Sequence, residues 1–151
     1  MKLKLVVAAS LFAAVVVVSS AAAKIVVQRS IAGVKLNMTQ AKVKSILGRP
    51  NSVVRGTNEF GRWKEFRYFR LAVTFQGEAN VTNLSTSRTN ERTANDIGVG
   101  STKAEVRAKI RGVRCDRLTC WVGRFLPGSK VTTFFLKRGL VSRVGLGLVI
   151  D

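Results

Sequence analysis

The chain has 151 residues, with 26 lysines and arginines against 8 aspartates and glutamates and no histidine, which gives a formal net charge of +18 at pH 7. Because histidine is missing and the acids are scattered rather than paired, the sequence lacks the usual groups for acid–base catalysis, and we predict that the protein is not an enzyme. The excess of positive charge favours acidic proteins, anionic polymers or a membrane surface as partners. The alternative is that the lysines and arginines only form a well-hydrated surface and bind nothing.

The first predicted element is a secretory signal peptide over residues 1–23. Two lysines precede an uncharged, mainly apolar run of 19 residues that ends at Ala23. Ala21 and Ala23 fit the small-residue positions of a cleavage site, so that Lys24 would begin the exported chain. This predicts a secreted protein or one in the extracytoplasmic cell envelope. The alternative is an uncleaved N-terminal helix that anchors the protein, because the run is long enough to span a bilayer.

Two similar stretches predict that the exported part is built from one unit used twice. Thr39–Leu47 returns as Thr102–Ile110 with threonine, alanine and valine in the same places, and Gly77–Leu84 resembles Lys137–Val144. The two offsets are nearly equal, as expected for an internal repeat. In chain order we predict one globular domain with these parts: a leader that can form an edge strand (24–30), a first unit (31–86), a polar linker (87–95) and a second unit (96–151).

Each unit is predicted to open with a short helix. In the first, Asn37 or Thr39 can cap a helix with apolar residues on one side, which ends at a Gly-x-Pro sequence. In the second, Thr102 and Glu105 form a capping-box pattern before Val106 and Ile110. The segments after each helix are rich in aromatic and β-branched residues and are separated by turn residues. The predicted fold class is α+β, with two tandem units, each a short helix packed on an antiparallel meander of three or four strands. Side by side, the units could make one longer sheet with a broad exposed face. We predict that this face, opposite the helices, carries much of Arg62, Lys64, Arg67 and Arg124 with at least one exposed aromatic residue.

The cysteines predict a structural disulfide. Cys115 and Cys120 are the only two in the chain, and an exported protein meets an oxidising compartment. Four residues between them, without a histidine nearby, make a poor metal site and do not form the Cys-x-x-Cys motif of a redox enzyme.

The candidate binding residues mix aromatic rings with positive charge on predicted strands, a combination that suits stacking and charge recognition. They are Arg62, Trp63, Lys64, Phe66, Arg67, Tyr68, Trp121 and Arg124. Alternation along a strand would place Trp63 and Arg67 on one face, and Phe66 and Tyr68 on the other. The alternative reading is that Phe66 and Tyr68 belong to the core.

The first unit resembles a known family in four features: a glycine, a capped helix, the Gly-x-Pro sequence that ends this helix, and a closing hairpin. The residues concerned are Gly33, then Thr39, Val43 and Leu47 of the helix, then Gly48 and Pro50, and finally Val81 and Leu84 of the hairpin. This pattern is similar to the SmpA/OmlA envelope-protein family. The doubling, with a cysteine pair after a helix, resembles the secreted β-lactamase inhibitory protein fold. The resemblance implies a tandem α+β architecture and a sheet face that binds protein, and it transfers no inhibitory residues to this chain.

Together these observations predict a secreted or envelope-associated binding module that recognises a protein through an open sheet face. The alternative is a binder of anionic envelope polymers or of the membrane surface, held mainly by charge, and a remoter one is an enzyme inhibitor of the β-lactamase inhibitory type. We expect neither a cofactor nor a small-molecule substrate. High salt should abolish binding in the charge-driven case and weaken it much less in the protein-binding case.

Overall fold

The computed structural model describes residues 24–150, so the predicted signal peptide with Ala21 and Ala23 lies outside the described residues. The two helices are α1 (Gln40–Leu47) and α2 (Lys103–Lys109). The strands are β1 (Ile25–Val26), β2 (Ser30–Ile31), β3 (Ser52–Asn58), β4 (Gly61–Tyr68), β5 (Leu71–Gln76), β6 (Asn83–Thr86), β7 (Arg114–Cys115), β8 (Thr119–Val122), β9 (Lys130–Lys137) and β10 (Leu140–Leu148).

One antiparallel sheet contains eight of these strands, in the order β3-β4-β5-β6-β10-β9-β8-β7. The two meanders β3–β6 and β7–β10 meet where β6 pairs with β10, with Leu84 opposite Leu146 and Thr86 opposite Val144. β1 and β2 form a separate two-stranded hairpin. The middle of the large sheet is therefore built from strands that lie about sixty residues apart in the chain.

The prediction of an α+β fold made of two helix-on-meander units is wrong. Of the described residues, 46% are in strands and 12% in helices, so this part of the chain is mostly β, with one large sheet instead of two units. The physical reason is that the last strand of a separate meander would expose a row of unpaired backbone groups. β6 and β10 satisfy these groups by pairing with each other, and this pairing joins all the strands into one layer.

The core lies between one face of this sheet and a layer formed by the two helices and the N-terminal hairpin. Phe66, Phe75 and Phe134 point into it and are at most 2% exposed. Val43 of α1 and Val106 of α2 belong to the same buried cluster. Both helices therefore pack on the same side of the sheet, and the opposite side is left free of helices in the part of the chain that the structure describes.

The helix starts follow their sequence signals. The Thr39 side chain accepts a hydrogen bond from the Lys42 amide, and Thr102 forms the predicted capping box with Glu105. The inward residues are only partly those expected, because Ile110 is 6% exposed whereas Ile46 is 38% exposed. An eight-residue helix buries a narrow stripe, and Ile46 lies at its solvent side.

The leader forms a hairpin of its own and does not add an edge strand to the large sheet, which corrects that prediction. Ile25 pairs with Ile31 and both are buried, while the backbone N–H of Gln28 donates to the Thr132 hydroxyl at 2.7 Å.

The sequence patterns did not predict β3 and β7 as separate strands. Between residues 24 and 150 no helix combines the length and the apolar character that crossing a membrane requires.

Candidate functional site

The helix-free side of the sheet, called the open face here, offers an uncovered surface across the central strands. Strand alternation and register define which side chains share it. They are Trp63, Glu65 and Arg67 on β4, Ala72 and Thr74 on β5, Asn83 and Ser85 on β6, Arg143, Gly145 and Gly147 on β10, Val131, Thr133 and Phe135 on β9, and Trp121 on β8.

A hollow of about 300 Å³, called the central depression here, lies in the middle of the open face. Gly145, Gly147 and Thr133 form its floor, and Phe125 and Phe135 line its wall. Phe125 is 63% exposed, and its ring centroid lies 6.0 Å from that of Trp121. The lining combines these rings with polar side chains such as Glu65 and Asn83, so the hollow can receive a side chain of another molecule beside the two rings.

Glycine fits this floor closely because neighbouring side chains leave little space for a Cβ atom. A Cβ added to Gly145 would lie 3.2 Å from Cε2 of Phe135, and one added to Gly147 would lie 3.1 Å from Oδ1 of Asn83. The Phe135 ring therefore lies down on the sheet beside Gly145 instead of standing away from it.

A second hollow of about 240 Å³, called the side depression here, adjoins the first. Arg67, Arg70 and Arg143 line it together with the hydroxyl residues Ser85 and Ser87. Arg143 and Ser85 line both hollows, so the two depressions share one boundary.

The charges on the open face are few and partly paired. Nε of Arg67 donates to Oε1 of Glu65 at 2.7 Å, and the Thr74 hydroxyl donates to the other Glu65 oxygen at 3.3 Å. Arg143 forms no salt bridge within residues 24–150, and its guanidinium carbon lies 4.2 Å from the Phe135 ring centroid. Arg143 is therefore a stacked cation without an acidic partner in this part of the chain.

The structure divides the predicted binding residues between the two faces. Trp63, Arg67 and Trp121 lie on the open face, and Arg124 follows β8 in an exposed loop. The others lie on the helix-covered face, and the expectation that Arg62 and Lys64 share the open face is wrong because they alternate with Trp63 along β4. The residues on the covered face are Arg62, Lys64, Phe66 and Tyr68.

Contacts with the core and with α1 hold Phe66, Tyr68 and Lys64 on the covered face. Phe66 is 2% exposed and meets Phe75 with 4.8 Å between the ring centroids. The Tyr68 hydroxyl donates to the Gly48 carbonyl at the end of α1, and burial raises the pKa of Tyr68. Lys64 donates to the Gln40 side chain. For Phe66 the alternative reading, a core residue, is the one that the structure favours.

Sequence reasoning grouped Phe125 with Trp121 and Arg124, but it missed Phe135, Arg143 and Ser85, which line the two depressions. Alternation along β9 and β10 could have grouped Phe135 with Thr133, and Arg143 with Gly145. Nothing local in the sequence could have brought Ser85 beside Arg143, since that contact depends on the pairing of β6 with β10.

The predicted disulfide is confirmed. Cys115 and Cys120 are bonded and lie opposite each other on β7 and β8, so the bond ties a two-strand hairpin next to Trp121. The Asp116 carboxylate accepts hydrogen bonds from the amides of Leu118 and Thr119 in the turn, and these bonds lower the pKa of Asp116. Within the described range no group of three or more histidine, cysteine, aspartate or glutamate side chains is arranged to hold a metal ion.

Comparison with protein-family models, with curated proteins and with solved structures finds no match to this chain. The resemblance to the SmpA/OmlA family and to the β-lactamase inhibitory protein fold therefore stays a prediction from the sequence.

Proposed function

We propose that this protein is a secreted or cell-envelope binding module without enzymatic activity, and that it binds a protein partner through the open face. The observation that carries the proposal is the central depression. Its small-residue floor and its exposed Phe125 are uncovered, although the central strands of the same sheet are packed on their other side. Exposed aromatic side chains beside a surface hollow are typical of the anchor regions of protein interfaces.

The distribution of charge also supports a protein partner at this face. Apart from Glu65, Arg67, Arg143 and Lys137 at the exposed end of β9, the open-face residues of β4, β5, β6, β9 and β10 are uncharged. The excess of cations lies mostly on turns, on helices and on the covered side. Because a polyanion binder needs a track of free cations, the open face fits a protein partner better.

A second candidate function rests on the overall charge. The chain holds 26 basic against 8 acidic residues, and α2 presents exposed Arg107 and Lys109. A surface of this kind can hold the protein at an anionic polymer or membrane surface in a salt-dependent way.

Photo-crosslinking in the native cells separates the two functions. A benzoylphenylalanine is placed at Phe125 on the open face, and a control is placed at Ile46, which is exposed on α1 at the other side. We expect a protein adduct of defined mass from position 125 only, and we expect it to persist at about 0.5 M salt because apolar contacts are not screened. Equal adducts from both positions, lost in high salt, would instead favour the charge-driven function.

The location is tested separately by N-terminal sequencing of the protein recovered outside the cytoplasm. Cleavage after Ala23 should give a chain that begins at Lys24. Recovery of the uncleaved chain in membranes washed with high salt would favour the anchored alternative.

A further inference from the structure

Arg143 has the geometry of a prepared anion receptor. Its guanidinium lies over the Phe135 ring at 4.2 Å, which restricts the side chain before any ligand arrives. None of its donors has a hydrogen-bond acceptor within the described part of the chain, whereas Arg67 on the same face already binds Glu65. An arginine that is held in place and still has free donors loses little conformational entropy when it binds a planar anion.

The surroundings of Arg143 add to this receptor. Ser85 and Ser87 bring hydroxyl groups to the side depression, and Arg70 brings further positive charge. Both oxygens of Glu65 are already engaged, by Arg67 and by Thr74. The negative charge of Glu65 is therefore compensated by Arg67, and the electrostatic potential around Arg143 stays positive.

We propose that the side depression is an anion subsite that takes the carboxylate of an aspartate or glutamate from the bound protein segment. The inference rests on the proposed function and deepens it, because it states the chemistry of the partner. The guanidinium fork of Arg143 matches a carboxylate with two parallel hydrogen bonds. The central depression next to it, with Phe125 and Phe135 in its lining, receives a neighbouring apolar or aromatic side chain of the same segment.

The shared boundary of the two hollows sets the spacing in the partner. Because Arg143 and Ser85 line both depressions, the acidic and the apolar side chain must come from nearby positions in one segment. In an extended segment, side chains two positions apart point the same way and lie about 7 Å apart. The recognised pattern is therefore an acid two residues from an apolar or aromatic residue.

A phage-displayed library of random peptides tests the subsite on the exported protein, purified from cells that express the full chain. A strongly basic protein selects acidic peptides anywhere on its surface, so the informative quantity is the difference between matched variants. Arg143→Gln removes the receptor, and Arg107→Gln removes the same charge from an exposed position on α2. Thermal unfolding midpoints of both variants confirm that they fold.

We expect selected peptides to carry an acid two positions from an apolar residue. Their affinity should fall at least about tenfold for Arg143→Gln, because two parallel charge-assisted hydrogen bonds are lost, and less than about twofold for Arg107→Gln, where only a surface charge is removed. Arg143→Lys keeps the charge but lacks the fork, so we expect a loss of several-fold in that variant. Thr133→Trp, which fills the central depression, should also abolish binding.

Different failures have different meanings. If Thr133→Trp abolishes binding but Arg143→Gln does not weaken it, or the peptides lack acids, the subsite is overturned while the proposed function stands. Equal losses for Arg143→Gln and Arg107→Gln would show attraction by overall charge and overturn the subsite. If no peptide binding depends on position 133, the proposed function fails too.

Binding to vesicles of phosphatidylglycerol and phosphatidylcholine is measured as a separate experiment. If the protein binds these vesicles only when Arg143 is present, and Arg143→Gln has no effect on peptide binding, the occupant of the side depression is not a protein segment.

Discussion

The indole ring of Trp63 on β4 lies directly over Gly56, its register partner on the edge strand β3. A Cβ atom added to Gly56 would come within 2.6 Å of Cζ2 of Trp63, a distance that folded proteins do not tolerate. Because Gly56 has no side chain, the Trp63 ring occupies the space above it on β3. The glycine therefore determines how this tryptophan lies on the open face.

Gly56→Ala should displace the Trp63 ring and lower the free energy of unfolding by about 1–3 kcal/mol, the usual cost of forcing extra volume into a packed site. Urea unfolding and the tryptophan emission maximum report both effects. Thr57→Ala is the control, since Thr57 is an exposed neighbour on the other face of β3. Similar small effects from the two variants would show that the ring is free to move.

Glu91 is 1% exposed and depends on Arg88, whose Nη1 donates to one carboxylate oxygen at 3.0 Å. The other oxygen has no hydrogen-bond partner within the described residues. Arg88→Ala would leave this buried charge uncompensated, so we expect a loss of about 3–5 kcal/mol in the free energy of unfolding. Removing both groups in Arg88→Ala with Glu91→Leu should recover part of this loss, as denaturant titration can measure. Losses that simply add would mean that the pair is not coupled.

The two isoleucines of the helices should differ sharply in their contribution to stability. Ile110 follows α2 and is 6% exposed, whereas Ile46 on α1 is 38% exposed. Ile110→Ala should therefore cost about 2–5 kcal/mol, because it opens a cavity in the core. Ile46→Ala should change stability by about 0.5 kcal/mol, as usual for surface positions. Comparable losses in chemical denaturation would contradict the observed placement of α1.

The capping box of α2 should make a pH-dependent contribution. The backbone amide and hydroxyl of Thr102 donate to the Glu105 carboxylate at 2.7 and 2.9 Å, and these bonds lower the pKa of Glu105 below its ordinary value of 4.5. A lowered folded-state pKa adds stability above the unfolded-state pKa, and the gain is lost as pH falls through the folded-state pKa.

Unfolding titrations of the wild type and of Glu105→Gln at a series of pH values measure this contribution. The wild type should be the more stable protein at neutral pH, and the difference should shrink as the pH falls below 4.5. A difference that does not change with pH would mean that the carboxylate charge does not matter for the cap.

Local features of this protein could be predicted because they depend on residues a few positions apart. Thr39 and Thr102 cap helices where the pattern of threonine and apolar residues indicated, and Cys115 bonds to Cys120. Alternation along β4 correctly separated Trp63 and Arg67 from Phe66 and Tyr68. What alternation did not reveal is which of the two faces stays open, because aromatic and basic residues occur on both.

The architecture and the candidate site were decided by tertiary structure. The sequence by itself determined the helix caps, the disulfide and the strand periodicity, since each results from contacts within one short segment. The eight strands form one sheet because the backbones of β6 and β10 pair with each other. Many different side chains are compatible with such a pairing, so the residue types of these two strands do not identify it. Only that pairing places Ser85 beside Arg143, while neighbouring strands bring Phe135 under the guanidinium and Arg67 across the same hollow.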